Sequence, residues 1–198
     1  MSAGKRAIDA AGALAGLLVL WPVFAVVAAA VKAGDRGPVF FRQERVGRGG
    51  KPFRIWKFRT MVTDAEGRGG QLTVGRDPRI TPVGAWLRRT KLDELPQLLN
   101  VLAGEMSLVG PRPEVERYVR LYTPEQRRVL ELRPGITDPA SLRYVDESEV
   151  LGGADDPHRA YVEQIMPDKI RLNLEYAGRA TLLSDLGVIL RTVARLAR

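Results

Sequence analysis

The chain has 198 residues, 31 Lys/Arg against 23 Asp/Glu, a formal net charge of +8, one histidine and no cysteine. That length supports one real core, alone or with a membrane attachment. The missing cysteines exclude a disulfide framework, a cysteine-based metal site and a thiol nucleophile, and the lone His158, beside Asp155, Asp156 and Pro157, reads as a solvated surface residue rather than the base of a triad.

The basic excess lies in the first sixty residues, around and just after an apolar segment. This pattern suits a region facing anionic lipid or a phosphorylated substrate. A nucleic-acid partner is not expected, because no helix-turn-helix, zinc-finger or RNP-type pattern accompanies the charge. Between Arg6 and Lys32 the only charged residue is Asp9. A straight helix over that run reaches roughly 38 Å, enough for a bilayer core of about 30 Å. It is too long for a cleavable signal. Pro22 divides it into two arms, each too short to cross alone, and a mid-helix proline removes a hydrogen bond and bends the axis. Lys5 and Arg6 at one end and Lys32 and Arg36 at the other mark neither end as cytoplasmic. A straight span and a hairpin re-entering one leaflet both fit, with Pro22 as the hinge of the latter. Gly12 and Gly16 form a small-xxx-small pattern that suits helix packing.

Residues 37–46 and 51–60 read as two strands joined by the turn signal Gly47-Arg48-Gly49-Gly50. Alternation puts Phe53, Ile55 and Lys57 on one face of the second strand and Arg54, Trp56 and Phe58 on the other. Residues 64–79 are rich in glycine and charge and read as a mobile loop. Thr81-Pro82 is a hydroxyl cap with proline at the first helical position. It leads to Lys91-Leu92-Asp93-Glu94-Leu95-Pro96-Gln97-Leu98-Leu99-Asn100, two carboxylates ahead of an apolar helical run. Asp93 fits an N-cap. A helix start also attracts phosphate and magnesium, so a carboxylate fixed there can act as nucleophile or metal ligand, and the pair alone does not decide between capping and chemistry.

Further on, Pro111 and Pro113 hold the backbone around Arg112 extended and present its guanidinium from a stiff loop, suited to a diphosphate or a base edge. Thr123-Pro124-Glu125-Gln126 is a capping box. Arg133 to Thr137 reads as a turn and residues 145–157 as an acidic loop. A long helix is expected from about Pro157 to Tyr176, bent at Pro167. From Thr181, Leu182, Leu183, Leu186, Ile189, Leu190, Val193 and Leu196 share one face, which fits an interfacial membrane helix or a core-packing helix. The expected fold class is α+β, mainly helical with a small β-hairpin.

Several of these stretches, in order, resemble the bacterial sugar transferases called monotopic phosphoglycosyl transferases. They are Lys5-Arg6-Ala7-Ile8-Asp9, Pro22, Gly37 to Gly47, Lys57-Phe58-Arg59-Thr60-Met61, Lys91 to Gln97, Ser107 to Glu114, and Arg133 to Thr137. The resemblance covers nearly the whole chain. It implies transfer of a sugar-1-phosphate from a UDP-sugar to a polyprenyl phosphate, typically undecaprenyl phosphate, with release of UMP, as the first membrane step of a surface polysaccharide or glycoconjugate. It assigns Asp93 as the nucleophile that carries a covalent phosphosugar, Glu94 as its support, and both as anchors for a required Mg²⁺. Lys57, Arg59, Arg112 with its flanking Pro111 and Pro113, and more weakly Arg88, become substrate contacts. It also implies a re-entrant helix over residues 1–36 and a cytoplasmic, membrane-associated catalytic domain over 37–198, on the inner face of a bacterial cell membrane; a homodimer is left open. Two departures stand out. Trp21 precedes Pro22 where members often carry serine, and Asp138-Pro139-Ala140-Ser141-Leu142-Arg143-Tyr144 replaces the usual Gly-Trp-Ala-Gln-Val-Asn-Gly, so sugar specificity cannot be carried over. The rival readings are a hydrolase using the same aspartate and a non-enzymatic basic scaffold at the membrane surface, which would need neither the Asp93-Glu94 pair nor Arg112.

Overall fold

A computed structural model describes residues 3–68 and 77–196. Residues 69–76, half of the expected loop over 64–79, therefore fall outside the described residues, and Ala65–Arg68 ahead of them forms a 3-10 turn. The chain opens with helix α1 (Ala3–Asp35), which contains Pro22 and over Ala3–Gly34 is long and apolar enough to cross a membrane. Strands β1 (Phe40–Val46) and β2 (Pro52–Phe58) form the expected antiparallel hairpin, with Phe40 opposite Phe58 and Val46 opposite Pro52. Gly49 and Gly50 in its turn take φ of 69° and 75°, a region that favours residues without a Cβ.

Helix α2 (Pro82–Arg89) starts as its sequence predicts, with the Thr81 hydroxyl accepting from Gly84 N–H and Pro82 in the first turn. A 3-10 turn (Leu92–Gln97) then runs into α3 (Leu98–Ala103), closed by Gly104 at φ 82°. Strand β3 (Ser107–Val109) is followed by two short helices, α4 (Glu116–Val119) and α5 (Pro124–Arg127), the latter opened by the Thr123/Gln126 capping box. The segment read as a turn at Arg133–Thr137 contains a strand, β4 (Gly135–Thr137), paired parallel to β3. Its pairing depends on bare backbone: a Cβ on Gly135 would lie 2.1 Å from Gly110 N.

The buried Asp138 carboxylate caps α6 (Pro139–Arg143). The acidic stretch expected as loop contains a helix, α7 (Glu147–Gly152). Helix α8 (Pro157–Ala160) passes through a π turn at Tyr161–Ile165 into α9 (Met166–Ala177), so the widened turn falls just ahead of Pro167. That placement suits a residue with no N–H to give an α-helical bond. Helix α10 (Leu182–Leu196) completes the described chain. It turns Asp185 and Val188 inward and leaves Leu182, Leu183, Leu186, Leu190 and Val193 exposed, Leu183 by 78%. Those five residues are therefore not core.

One stripe of α1 packs along the domain over both of its halves. Ala13, Leu17 and Leu20 meet Ile55, Leu98, Val101 and Met106, while Val23, Phe24, Val27 and Val31 meet Phe58 and Leu87. Leu18, Val19, Trp21 and Val26 on other sides of the helix are exposed. The first turns are clasped by polar contacts. Buried Asp9 accepts from the Ser107 hydroxyl at 2.7 Å and Leu108 N–H at 3.2 Å. Arg6 donates to Val101 O at 2.6 Å and Leu102 O at 2.8 Å, carbonyls that the end of a short helix leaves open. A second core, under α4 and α9, gathers Val115, Tyr118, Val119, Leu151, Tyr161 and Ile170.

Candidate active site

The site starts from an unusual backbone. Lys91 takes the left-handed conformation (φ 55°, ψ 15°) and stands as the cap residue of the 3-10 turn, without a side-chain cap bond. Asp93 is therefore not the N-cap that its sequence position suggests: it lies inside the turn. The local capping pattern is real, but the reversal at Lys91 starts the turn two residues early. With three residues per turn, Asp93 and Glu94 project about 120° apart, so neighbours in sequence face different surroundings.

Glu94 faces the cations. Arg112 grips it with both guanidinium nitrogens, Nη1 to Oε2 at 2.9 Å and Nη2 to Oε1, and Lys57 Nζ reaches Oε1 at 2.8 Å. Desolvation alone would push the Glu94 carboxyl up, but Arg112 and then Lys57 hold it well below the usual range. Lys57 itself is lowered by burial against the pull of Glu94. Asp93 is the opposite case. It is 6% exposed, its Oδ1 has no hydrogen-bond partner, and burial followed by the charge of Glu94 raises its carboxyl above the ordinary value, against Lys57, Arg88 and Lys91. A buried carboxylate oxygen without a donor is costly and invites either a proton, a cation or an electrophile.

The surrounding elements fix these positions. Asn100, fully buried in α3, accepts from Trp56 N–H at 2.9 Å and donates to Arg54 O at 2.9 Å and Glu105 Oε2 at 2.7 Å. This staple registers β2, and with it Lys57, against the turn that carries Glu94. Arg88 donates to the Thr60 hydroxyl at 2.9 Å; burial lowers it and Asp93 is its main opposing charge. Gly84 lets α2 press on the same strand end, since a Cβ there would lie 1.9 Å from Thr60 O. Pro111 and Pro113 flank Arg112 as backbone acceptors, from Gly135 N–H at 2.9 Å and Arg45 Nη1 at 3.2 Å.

The sequence-predicted residues thus fall into two groups. Lys57, Glu94 and Arg112 meet in one ion cluster beside Asp93, with Arg88 at its edge. Arg59 is outside this cluster: it is buried one residue beyond β2 and donates to Pro38 O at 2.6 Å and Met61 O at 3.3 Å, bracing the chain after the hairpin. It still lines the same cleft as Lys57, Arg88 and Arg112. Pro22 lies within α1. Sequence reasoning missed Asn100, although an asparagine within the apolar run Leu98-Leu99-Asn100-Val101-Leu102 was the available signal. It also missed the contacts that Arg45 makes with Pro113 and Tyr161 with Glu114 beside Arg112, which join residues far apart in the chain.

The dyad opens on a cleft that Lys57, Arg88 and Arg112 line together with Gly12, Gly16 and Leu20 of α1. Among the described residues no three His, Cys, Asp or Glu groups come together as a metal site. A hard cation there has the dyad and a substrate's own phosphates to bind, which is how Mg²⁺ is commonly held. Asp93 Oδ1 fits that role as it stands. The oxygens of Glu94 are already engaged by Arg112 and Lys57.

Comparison with known proteins identifies the family of the chain. Residues 1–198 match the family described as bacterial sugar transferase. The chain is 41% identical over 196 residues to the exopolysaccharide production protein PSS of Rhizobium leguminosarum bv. phaseoli, covering 96% of this chain and 92% of that one. It is 38% identical over 197 residues to the UDP-glucose:undecaprenyl-phosphate glucose-1-phosphate transferase of Escherichia coli, covering 96% of this chain but 39% of the relative. The Caulobacter vibrioides protein of the same name is 37% identical over 195 residues, with 97% and 69% covered.

Proposed function

Because the chain belongs to the bacterial sugar transferase family, we propose that it transfers a sugar-1-phosphate from a UDP-sugar to undecaprenyl or a similar polyprenyl phosphate, with Asp93 as covalent nucleophile. The observation that carries the assignment is the unequal treatment of two adjacent carboxylates. Glu94 is locked between Lys57 and Arg112, whereas buried Asp93, which lines the same basic cleft, keeps an oxygen without a partner.

In the first step the Asp93 carboxylate attacks the sugar-bearing phosphorus. An Asp93–phosphorus bond forms, the diphosphate oxygen bridge breaks, and UMP leaves. In the second step an oxygen of the lipid phosphate attacks the same phosphorus, which breaks the bond to Asp93 and restores the carboxylate. Lys57, Arg88 and Arg112 supply the positive field that lets one anion approach another. Low solvation of Asp93 strengthens it as a nucleophile once it is charged. Bound Mg²⁺ would neutralise phosphoryl oxygens beside Asp93. Any share for Glu94 in holding it requires Arg112 or Lys57 to yield an oxygen.

The packing of α1 supports the one-leaflet reading. Both halves of the helix, on either side of Pro22, lie against the same folded body. A straight crossing would carry polar surface of that body into the bilayer, where unpaired polar groups are costly. The exposed apolar sides of α1 and α10 suit insertion at one face of the membrane, with residues 37–198 as the catalytic part on the cytoplasmic side.

The test is UMP release by the detergent-solubilised protein with Mg²⁺, undecaprenyl phosphate and a panel of UDP-sugars. Lipid-dependent UMP and its loss in Asp93→Asn are expected, along with a phosphosugar mass adduct on Asp93 when the lipid is withheld. Full activity in Asp93→Asn, or UMP release that never depends on lipid, overturns the assignment.

A further inference from the structure

The loop that presents Arg112 is held at three backbone points, and one of its restraints comes from the π turn. Pro111 O accepts from Gly135 N–H at 2.9 Å, Pro113 O accepts from Arg45 Nη1 at 3.2 Å, and Glu114 O accepts from Val46 N–H at 2.8 Å. The Glu114 carboxylate is fixed as well: Oε1 accepts from the Tyr161 hydroxyl at 2.6 Å, and Oε2 from Val115 N–H at 2.9 Å. Arg45 is itself oriented by Gln43 Oε1, which accepts from Nε at 3.1 Å and from Nη2 at 2.6 Å.

Tyr161 opens the π turn Tyr161–Ile165. A π turn costs hydrogen-bond geometry relative to an α-helix, and such turns persist where they aim a side chain. Here the aimed group is a phenol, buried to 3% exposure against Tyr118, with its hydroxyl on Glu114. Arg45 is a half-buried cation, lowered by desolvation, and Glu114 is its main opposing charge. Neither Arg45 nor Tyr161 touches Asp93 or Glu94 by a hydrogen bond. They touch Pro113 and Glu114, the two residues that follow Arg112.

We infer that Tyr161, Glu114 and Arg45 form a positioning clamp that sets Arg112 against Glu94 for the transfer reaction, with the π turn as the device that delivers the Tyr161 hydroxyl. The inference rests on the transferase assignment above. These three are positioning residues: each acts on the phosphate site through the Pro113–Glu114 backbone.

Tyr161→Phe keeps the ring in the core and removes only the hydroxyl. Its kcat/KM for the UDP-sugar is expected to fall about tenfold, the size of effect that small misplacement of a bound reactant produces. In an Arg112→Ala background the same change is expected to have less than a twofold effect, because the group being positioned is gone. Leu174→Ala, in the same apolar cluster, serves as a control for lost stability, with a lowered Tm and less than a twofold change in kcat/KM. Wild-type activity with equal kcat/KM in Tyr161→Phe overturns the clamp. So does a tenfold loss that persists unchanged in the Arg112→Ala background, since that marks a general structural effect. A wild-type protein without lipid-dependent UMP release is a different failure, that of the transferase assignment itself.

Discussion

Removing Arg112 isolates the electrostatics of the dyad. Arg112→Ala takes two charge-assisted hydrogen bonds from Glu94 and leaves the one from Lys57. Breaking a buried ion pair from one side costs about 3–5 kcal/mol. The Arg112 side chain is 34% exposed, against 12% for Glu94, so solvent screening and the remaining lysine reduce the expected loss to about 2 kcal/mol. The loss depends on pH in a definite direction. Glu94 has its folded pKa depressed, so its contribution to stability is present above the unfolded glutamate value of about 4.3 and fades as pH falls toward the folded value. In Arg112→Ala the folded Glu94 pKa rises. The stability gap between wild type and variant is therefore widest near neutral pH and narrows as pH drops from about 6 toward 3. Urea unfolding of the solubilised protein at several pH values measures the gap. A gap that stays constant with pH would mean that Arg112 contributes packing and loop structure rather than charge, and would refute the reasoning.

Asp93 carries the opposite sign. Its folded pKa is raised, so the ionised form opposes folding, and Asp93→Asn is expected to gain about 1 kcal/mol near neutral pH, or about 2–4 °C in Tm, while losing transfer activity; that gain should shrink toward acid pH. Gly135→Ala is expected to destabilise by about 2–3 kcal/mol through its clash with Gly110, measured as a lower urea midpoint and accompanied by weaker UDP-sugar binding, because Pro111 is hydrogen-bonded there. Leu183→Glu with Leu190→Glu, both exposed on α10, is expected to leave Tm within about 2 °C but to lower co-sedimentation with anionic phospholipid vesicles; unchanged sedimentation would remove α10 from the membrane-contacting surface.

What the sequence discloses follows the range of the interactions. The hairpin was legible because a glycine turn and two-residue alternation are local, and the Thr81-Pro82 and Thr123-Gln126 helix starts because a cap lies within one turn. Strands β3 and β4 were not, since three residues show no periodicity and their pairing is set by Gly110 meeting Gly135 across the fold. Lys57 and Arg59 share one parity and look equivalent in sequence. The strand ends at Phe58, so alternation binds the first and releases the second, whose guanidinium turns to Pro38 O and Met61 O. The residue types of the site could be named in advance. Which carboxylate holds the cations could not, because that depends on Lys57, Glu94 and Arg112 meeting from three separate elements.

That division also explains why two carboxylates sit side by side. A single buried aspartate ringed by Lys57, Arg88 and Arg112 would form tight ion pairs and be a poor nucleophile, its oxygens already occupied. Without nearby cations it would stay protonated and could not approach a diphosphate. Glu94 resolves the conflict by taking the direct contacts of Lys57 and Arg112, which keeps both cations in place and desolvated beside the site. Their field still reaches Asp93, and Asp93 Oδ1 stays without a partner. The 3-10 turn makes this possible from adjacent positions: at about 120° per residue, one side chain takes the direct contacts of the cation cluster while its neighbour points away from them. A helix cap at Asp93 would have tied that oxygen to backbone N–H groups. The left-handed turn at Lys91 prevents that.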